Sequence, residues 1–211
     1  MSQPSALSPL VPPKARPEVR VRLARFTDIP TLMRLYRSQS GSSRHLYHPF
    51  PFDRPRLFLI FAFMVGSHPF LRRIIGSHRV PAAALLVAVV GDRQRPIGYG
   101  NVAFERKADP KAIFGYLVDE RFRGLGVGTR LHEGMIDHAL TLGVRRGGGT
   151  VVVANVANVR VLSKLGFVLT RSSVVDSAVP GEENYVSDGD LEEISRRFHA
   201  RAGPPTSDAG R

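Results

Sequence analysis

The chain of 211 residues is long enough for one well-buried domain, and two would each be small. It has no cysteine, which excludes a disulfide framework and a thiolate metal site and makes a reducing, cytoplasmic setting the expectation. Its seven histidines show no metal-binding spacing, so no metal is expected. The net charge of +12 is almost wholly arginine, scattered along the chain with no basic run or aromatic-interleaved stripe, and specific nucleic-acid binding is not expected.

Residues 1–18 carry prolines and serines but no basic stretch leading into an apolar core, so they read as a disordered leader and not as a secretion signal. Val19 to Phe26 alternates apolar and polar side chains, the period of a half-buried strand. Thr27 or Asp28 then offers a helix cap, and Ile29, Leu32, Met33, Leu35 and Tyr36 supply the apolar stripe of the helix that follows. Ser38 to Pro55 is a loop by composition. Its His45, Leu46, Tyr47, His48, Phe50 and Phe52 suit either sealing the end of the domain or lining a pocket.

Leu57 to Val65 is apolar on every side and predicts a buried helix, far short of the about 20 residues needed to span a membrane. Its Phe58, Phe61 and Phe63 fit core or a homodimer contact. A second short helix is expected over Phe70 to Ile75. Ala82 to Val90, Ile97 to Phe104 and Ala112 to Val118 then read as three strands joined by short turns, an antiparallel meander.

After the third strand comes a glycine-rich turn with Gly124, Gly126 and Gly128, then a helix from Thr129 to Leu142 whose stripe is Leu131, Met135, Ala139 and Leu142. His132 and His138 fall off that stripe and are expected to be solvated. Thr150 to Ala154 reads as a buried strand parallel to its predecessor, because a helix connects them. A short helix, Val156 to Leu165, and a closing strand, Phe167 to Val175, follow. Tyr185 and Val186 are expected in an edge strand, and Leu191 to His199 in an amphipathic helix. The expected organisation is a domain over 19–176, an extension over 177–200 and a disordered tail over 201–211.

A helix that starts on glycines presents unpaired backbone N–H groups and the positive end of its dipole, which suits a pyrophosphate. The spacing Gly-x-Gly-x-Gly in mid-chain does not match the dinucleotide fingerprint of a first βαβ unit, and no Gly-Lys-Ser/Thr follows to make a P-loop. Arg123 opens an Arg-x-x-Gly-x-Gly pattern, and the later segment Asn155-Val-Ala-Asn-Val-Arg-Val-Leu-Ser-Lys-Leu-Gly-Phe167 begins in Asn and ends in Gly-Phe. Together these resemble the GNAT superfamily of CoA-dependent N-acyltransferases, specifically over Ala112 to Phe167 and in outline from Val19 to Val175.

The resemblance implies an α/β fold, with a central mixed sheet of about six to seven strands and helices on both faces. It implies acetyl-CoA as co-substrate, with Arg123, Gly124, Gly126, Gly128 and Thr129 at the pyrophosphate. The backbone of Leu117 and Val118 would hold the pantetheine arm and help with the thioester oxygen, and Asn155 would contact that arm or fix the loop that does. The implied reaction is direct transfer of acetyl to the amine of a protein, peptide or small molecule. Many family members carry a tyrosine on the last short helix to protonate the leaving thiolate, and Leu162 stands there. The wording resembles the branch that includes ribosomal-protein acetyltransferases, which lacks that tyrosine. Ser163 and Tyr116 remain as candidate acids and Glu105 as candidate base. The alternative is a CoA-binding sensor that kept the fold without turnover.

Overall fold

The segment Ala83–Val90 is apolar at every position because both of its faces are covered, the mark of an interior strand and not of a half-solvated one. Leu85, Val87 and Val89 point to one face of the sheet, where they pack with Leu32, Tyr36, Phe61 and Met64. Ala84 and Leu86 point to the other, among Met135, Ile136 and Ala139. The computed structural model describes residues 18–41, 43, 54–66, 83–105, 109–172 and 183–202. The aromatic and histidine cluster at 45–52, the helix expected over 70–75 and residues 1–17 and 203–211 of the expected disordered termini lie outside these residues, while Arg201 and Ala202, expected in the disordered tail, belong to the helix Leu191–Ala202.

The strands are β1 (Val19–Leu23), β2 (Ala83–Val90), β3 (Arg95–Phe104), β4 (Lys111–Val118), β5 (Arg146–Val152), β6 (Val168–Ser172) and β7 (Asn184–Asp190). The helices are α1 (Ile29–Arg37), α2 (Arg54–Gly66), α3 (Val127–Thr141), α4 (Val156–Leu165) and α5 (Leu191–Ala202). One sheet holds all seven strands in the order β1-β2-β3-β4-β5-β7-β6. Every neighbouring pair is antiparallel except β4 and β5. Helices α1 and α2 cover one face, while α3, α4 and α5 cover the other.

Local chemistry sets the entry to α1. Asp28 accepts both Arg22 guanidinium nitrogens, at 2.7 and 3.0 Å, and the Arg25 N–H at 2.7 Å. Burial alone would raise its pKa, but these donors overcome it and hold the carboxyl ionised. In α2, Phe61 meets the Tyr99 ring edge-on at 5.2 Å, whereas Phe58 and Leu59 stay exposed. The all-round apolar helix therefore buries one side and leaves part of the other open.

Three expectations are corrected. Strand β5 begins at Arg146 and not at Thr150, so it contains Gly147, Gly148 and Gly149. A Cβ on Gly147 would stand 2.6 Å from the Phe114 ring, and one on Gly148 would collide with the Ser187 carbonyl, so the close approach of neighbours makes glycine fit a strand here. Tyr185 and Val186 lie in an interior strand, because β7 inserts between β5 and β6 and leaves β6 at the edge. His132 is 2% exposed, packed against Phe114, Tyr116 and Phe167 with ring centroids 4.7–6.4 Å away, so it extends the apolar face of α3. His138 is half-buried.

Candidate active site

The two central strands part. The parallel pair β4 and β5 shares only three register positions, from Lys111 opposite Arg146 to Ile113 opposite Gly148. Beyond them β4 stays with β3 as far as Val118, and β5 stays with β7 as far as Val152. An opening therefore lies between the later halves of β4 and β5.

Strand parity shows which backbone groups face it. The Asp119 N–H donates to the Ile97 carbonyl at 2.8 Å and the Lys111 carbonyl accepts from Glu105 N–H at 3.0 Å, so odd-numbered backbone groups of β4 face β3. Even-numbered groups face the opening. Val118 is thus free to donate there, and Tyr116 joins it. Leu117, expected to share that role, turns its backbone toward Tyr99 on β3.

The glycine turn follows directly. Asp119 takes the Arg121 N–H and guanidinium, closing a short 3-10 turn over Glu120–Phe122 and holding the Asp119 pKa below its usual range. Gly124 and Gly126 then adopt positive φ, 74° and 85°, and a Cβ on either would meet nothing within 4 Å. Gly126 caps α3 with no side-chain help, and the amides of Val127, Gly128 and Thr129 find no acceptor among the described residues. Open space, unpaired donors and a helix N-terminus at one spot suit an anion. Gly128 has a different reason for lacking a side chain: its Cβ would lie 2.7 Å from the Tyr116 ring.

Arg123 is half-exposed and already engaged. Its Nη2 donates to Gln39 Oε1 at 3.0 Å and lies 3.7 Å from Glu120 Oε1. Asn155 caps α4, accepting the Asn158 N–H on Oδ1 at 3.2 Å, so its carbonyl oxygen is committed while its amide group is not tied to that cap. Leu162 is buried in the core under α4, and Ser163 lies on the exposed outer side of that helix.

The three candidate acid–base residues occupy three different places. Glu105 sits beside Lys111 at the start of β4, roughly 24 Å of strand from the glycine turn at about 3.4 Å per residue. Ser163 faces outward. Tyr116 alone borders the opening, packed between Gly128 and His132, and burial pushes its hydroxyl pKa up although the Arg123 charge opposes this. Gln39, Ser40 and Ser43, which contact the turn, gave no signal in the sequence because their partners lie about eighty residues away. Among the described residues no group of three or more ligating side chains assembles a metal site, and no helix is long and apolar enough to cross a membrane.

Known structures share this architecture. The ribosomal-protein-S5-alanine acetyltransferase from Vibrio fischeri superposes with a TM-score of 0.63 at 18% identity, covering 83% of this chain and 94% of that one. The spermidine N-acetyltransferase from Vibrio cholerae, solved with CoA and spermine, gives 0.65 at 15% identity over 84% and 98%. The protein yncA from Salmonella typhimurium, solved with its cofactor acetyl-CoA, gives 0.61 at 18% over 83% and 95%. No curated protein matches the sequence. The profile of the acetyltransferase (GNAT) family matches residues 43–167, which take in the parted strands, the glycine turn and the Asn155 cap, and the chain belongs to that family.

Proposed function

We propose that this acetyltransferase moves an acetyl group from acetyl-CoA to a primary amine by direct attack. The observation that carries the reading is the set of unpaired amides on Val127, Gly128 and Thr129 below the open space at Gly124 and Gly126, next to the parted β4 and β5. The donor supplies a thioester whose C–S bond breaks as the amide bond to the amine forms. Gly124, Gly126 and the first turn of α3 hold its phosphates, with Arg123 adding charge. Asn155 turns its free amide toward the pantetheine arm. Tyr116 and Val118 present N–H groups to the opening, where they stabilise negative charge developing on the carbonyl oxygen.

The attacking nitrogen must lose a proton and the leaving sulfur must gain one. Tyr116 is the candidate acid we retain, because it borders the opening and stays protonated over the working pH range. Water also suffices for a thiolate of pKa near 8.5. The acceptor is an amine of a protein, a peptide or a small molecule.

Acetyl-CoA at about 100 times its dissociation constant is expected to stabilise the fold by about 2.7 kcal/mol, read as a shift in melting temperature. No shift in a folded sample counts against the reading. A shift without thiol release across a panel of amines and peptides favours a CoA sensor. Arg123→Ala is expected to weaken CoA binding only about three- to tenfold by calorimetry, since the backbone donors remain and the guanidinium is half-exposed. A loss beyond a hundredfold would make Arg123, and not the backbone, the main anion holder.

A further inference from the structure

A carboxylate at the start of the glycine turn gathers donors from the far end of α1. Glu120 Oε1 accepts the Ser40 N–H at 3.0 Å, the Ser40 hydroxyl at 2.7 Å and the Ser43 hydroxyl at 2.5 Å. Beside it, Arg123 Nη2 bonds Gln39 Oε1 at 3.0 Å, and Gln39 Nε2 donates to the Leu35 carbonyl at 3.1 Å. Gln39 and Ser43 are buried although polar, so these bonds satisfy groups that would otherwise destabilise the packed junction. Glu120 is itself exposed, yet three donors converge on one of its oxygens. The Ser43 and Ser40 donors, helped by Arg123, hold the Glu120 pKa down at about 2.

Position gives this cluster its consequence. Helices α3, α4 and α5 fill one face of the sheet, whereas α1 and α2 on the other pack mainly on β3 and β2, so on the reading above a second substrate reaches the opening beyond Ile113 from that face. The chain leaving α1 runs along that side and is tied to the turn that ends β4. Resting on the reading that the turn receives the donor, we propose that Glu120 is a positioning residue for the acceptor amine. By holding Ser40 and Ser43 it fixes the segment leaving α1 at the rim of the β4–β5 opening. Arg123, placed between Gln39 and the anion site, makes that fixing respond to the donor.

The test uses the full chain, with CoA alone as the probe. In the unsubstituted protein CoA slows amide exchange over residues 36–43 by about tenfold, because the Ser40 amide opens less often once the turn is held. Glu120→Ala abolishes this slowing while the CoA dissociation constant changes less than about threefold, as befits a residue outside the phosphate site. Glu120→Gln keeps an acceptor oxygen in place and recovers part of the slowing. Persistence of the slowing in Glu120→Ala, or its absence in an unsubstituted protein that binds CoA, overturns the positioning role. So does a loss of CoA affinity in Glu120→Ala as large as the loss of slowing, which assigns Glu120 to the donor site. If the unsubstituted protein binds no CoA, the donor reading fails first and this role falls with it.

Discussion

Gly126→Val is expected to lower CoA affinity by about a hundredfold or more while leaving the sheet folded. The residue sits at φ 85° as the cap of α3, and a β-branched side chain held in that region costs about 1–3 kcal/mol. The valine would also project into the open space over the unpaired amides of Val127, Gly128 and Thr129, where phosphate oxygens are to lie. Nothing within 4 Å of the added Cβ belongs to the core, so the apolar packing between α3 and the strands is untouched. Calorimetric titration with CoA and a denaturant melt of the same sample check the two halves. Unchanged affinity would reduce the turn to a connection, and an unfolded variant would mean that the turn holds the domain together.

The second large effect concerns acid stability. Burial drives the His132 pKa down to about 4 from 6.5, and the nearby Gly128 carbonyl offsets only part of this. The folded state keeps the ring neutral while the unfolded state takes up a proton below pH 6.5. Stability is therefore complete above pH 6.5, falls as the pH drops toward 4, and loses on the order of 3 kcal/mol across that window. His132→Leu removes the titrating group and is expected to flatten the profile over the same range, when unfolding free energies are measured by urea at several pH values. Parallel profiles for the two proteins would show that another group dominates the acid transition.

Much of the fold around the glycine turn was legible in the primary structure because its signals are local. The apolar segment of β2, the three spaced glycines and the Asn-to-Gly-Phe stretch each occupy one short stretch, and each forms the element expected of it. Misreadings cluster where a residue's environment comes from far along the chain. Gly147 and Gly148 weaken any local case for a strand, yet they fit β5 because Phe114 and Ser187 crowd them. His132 looks polar beside an apolar stripe, but a neutral imidazole among three aromatic rings behaves as core. Leu117 and Val118 are adjacent and similar in type. Only the alternation of the β4 backbone separates the one that faces β3 from the one that faces the opening. The bonds from Glu120 to Ser40 and Ser43 have no sequence signature at all.

The insertion of β7 between β5 and β6 also governs when this protein can finish folding during synthesis. Neither β5 nor β6 pairs with the other: β6 finds its only partner in β7, and β5, held by β4 along one side over three positions, finds its second partner there, with Gly149 opposite Ser187 and Leu169 opposite the same residue. Until residue 190 has left the ribosome, the far side of β5 is an open edge that bonds to nothing, and β6 has no sheet to join. A nascent chain paused before β7 exposes a glycine-bearing edge with little register preference to any neighbouring strand. The last strand of the sheet is thus the step that protects the growing chain from strand-to-strand association.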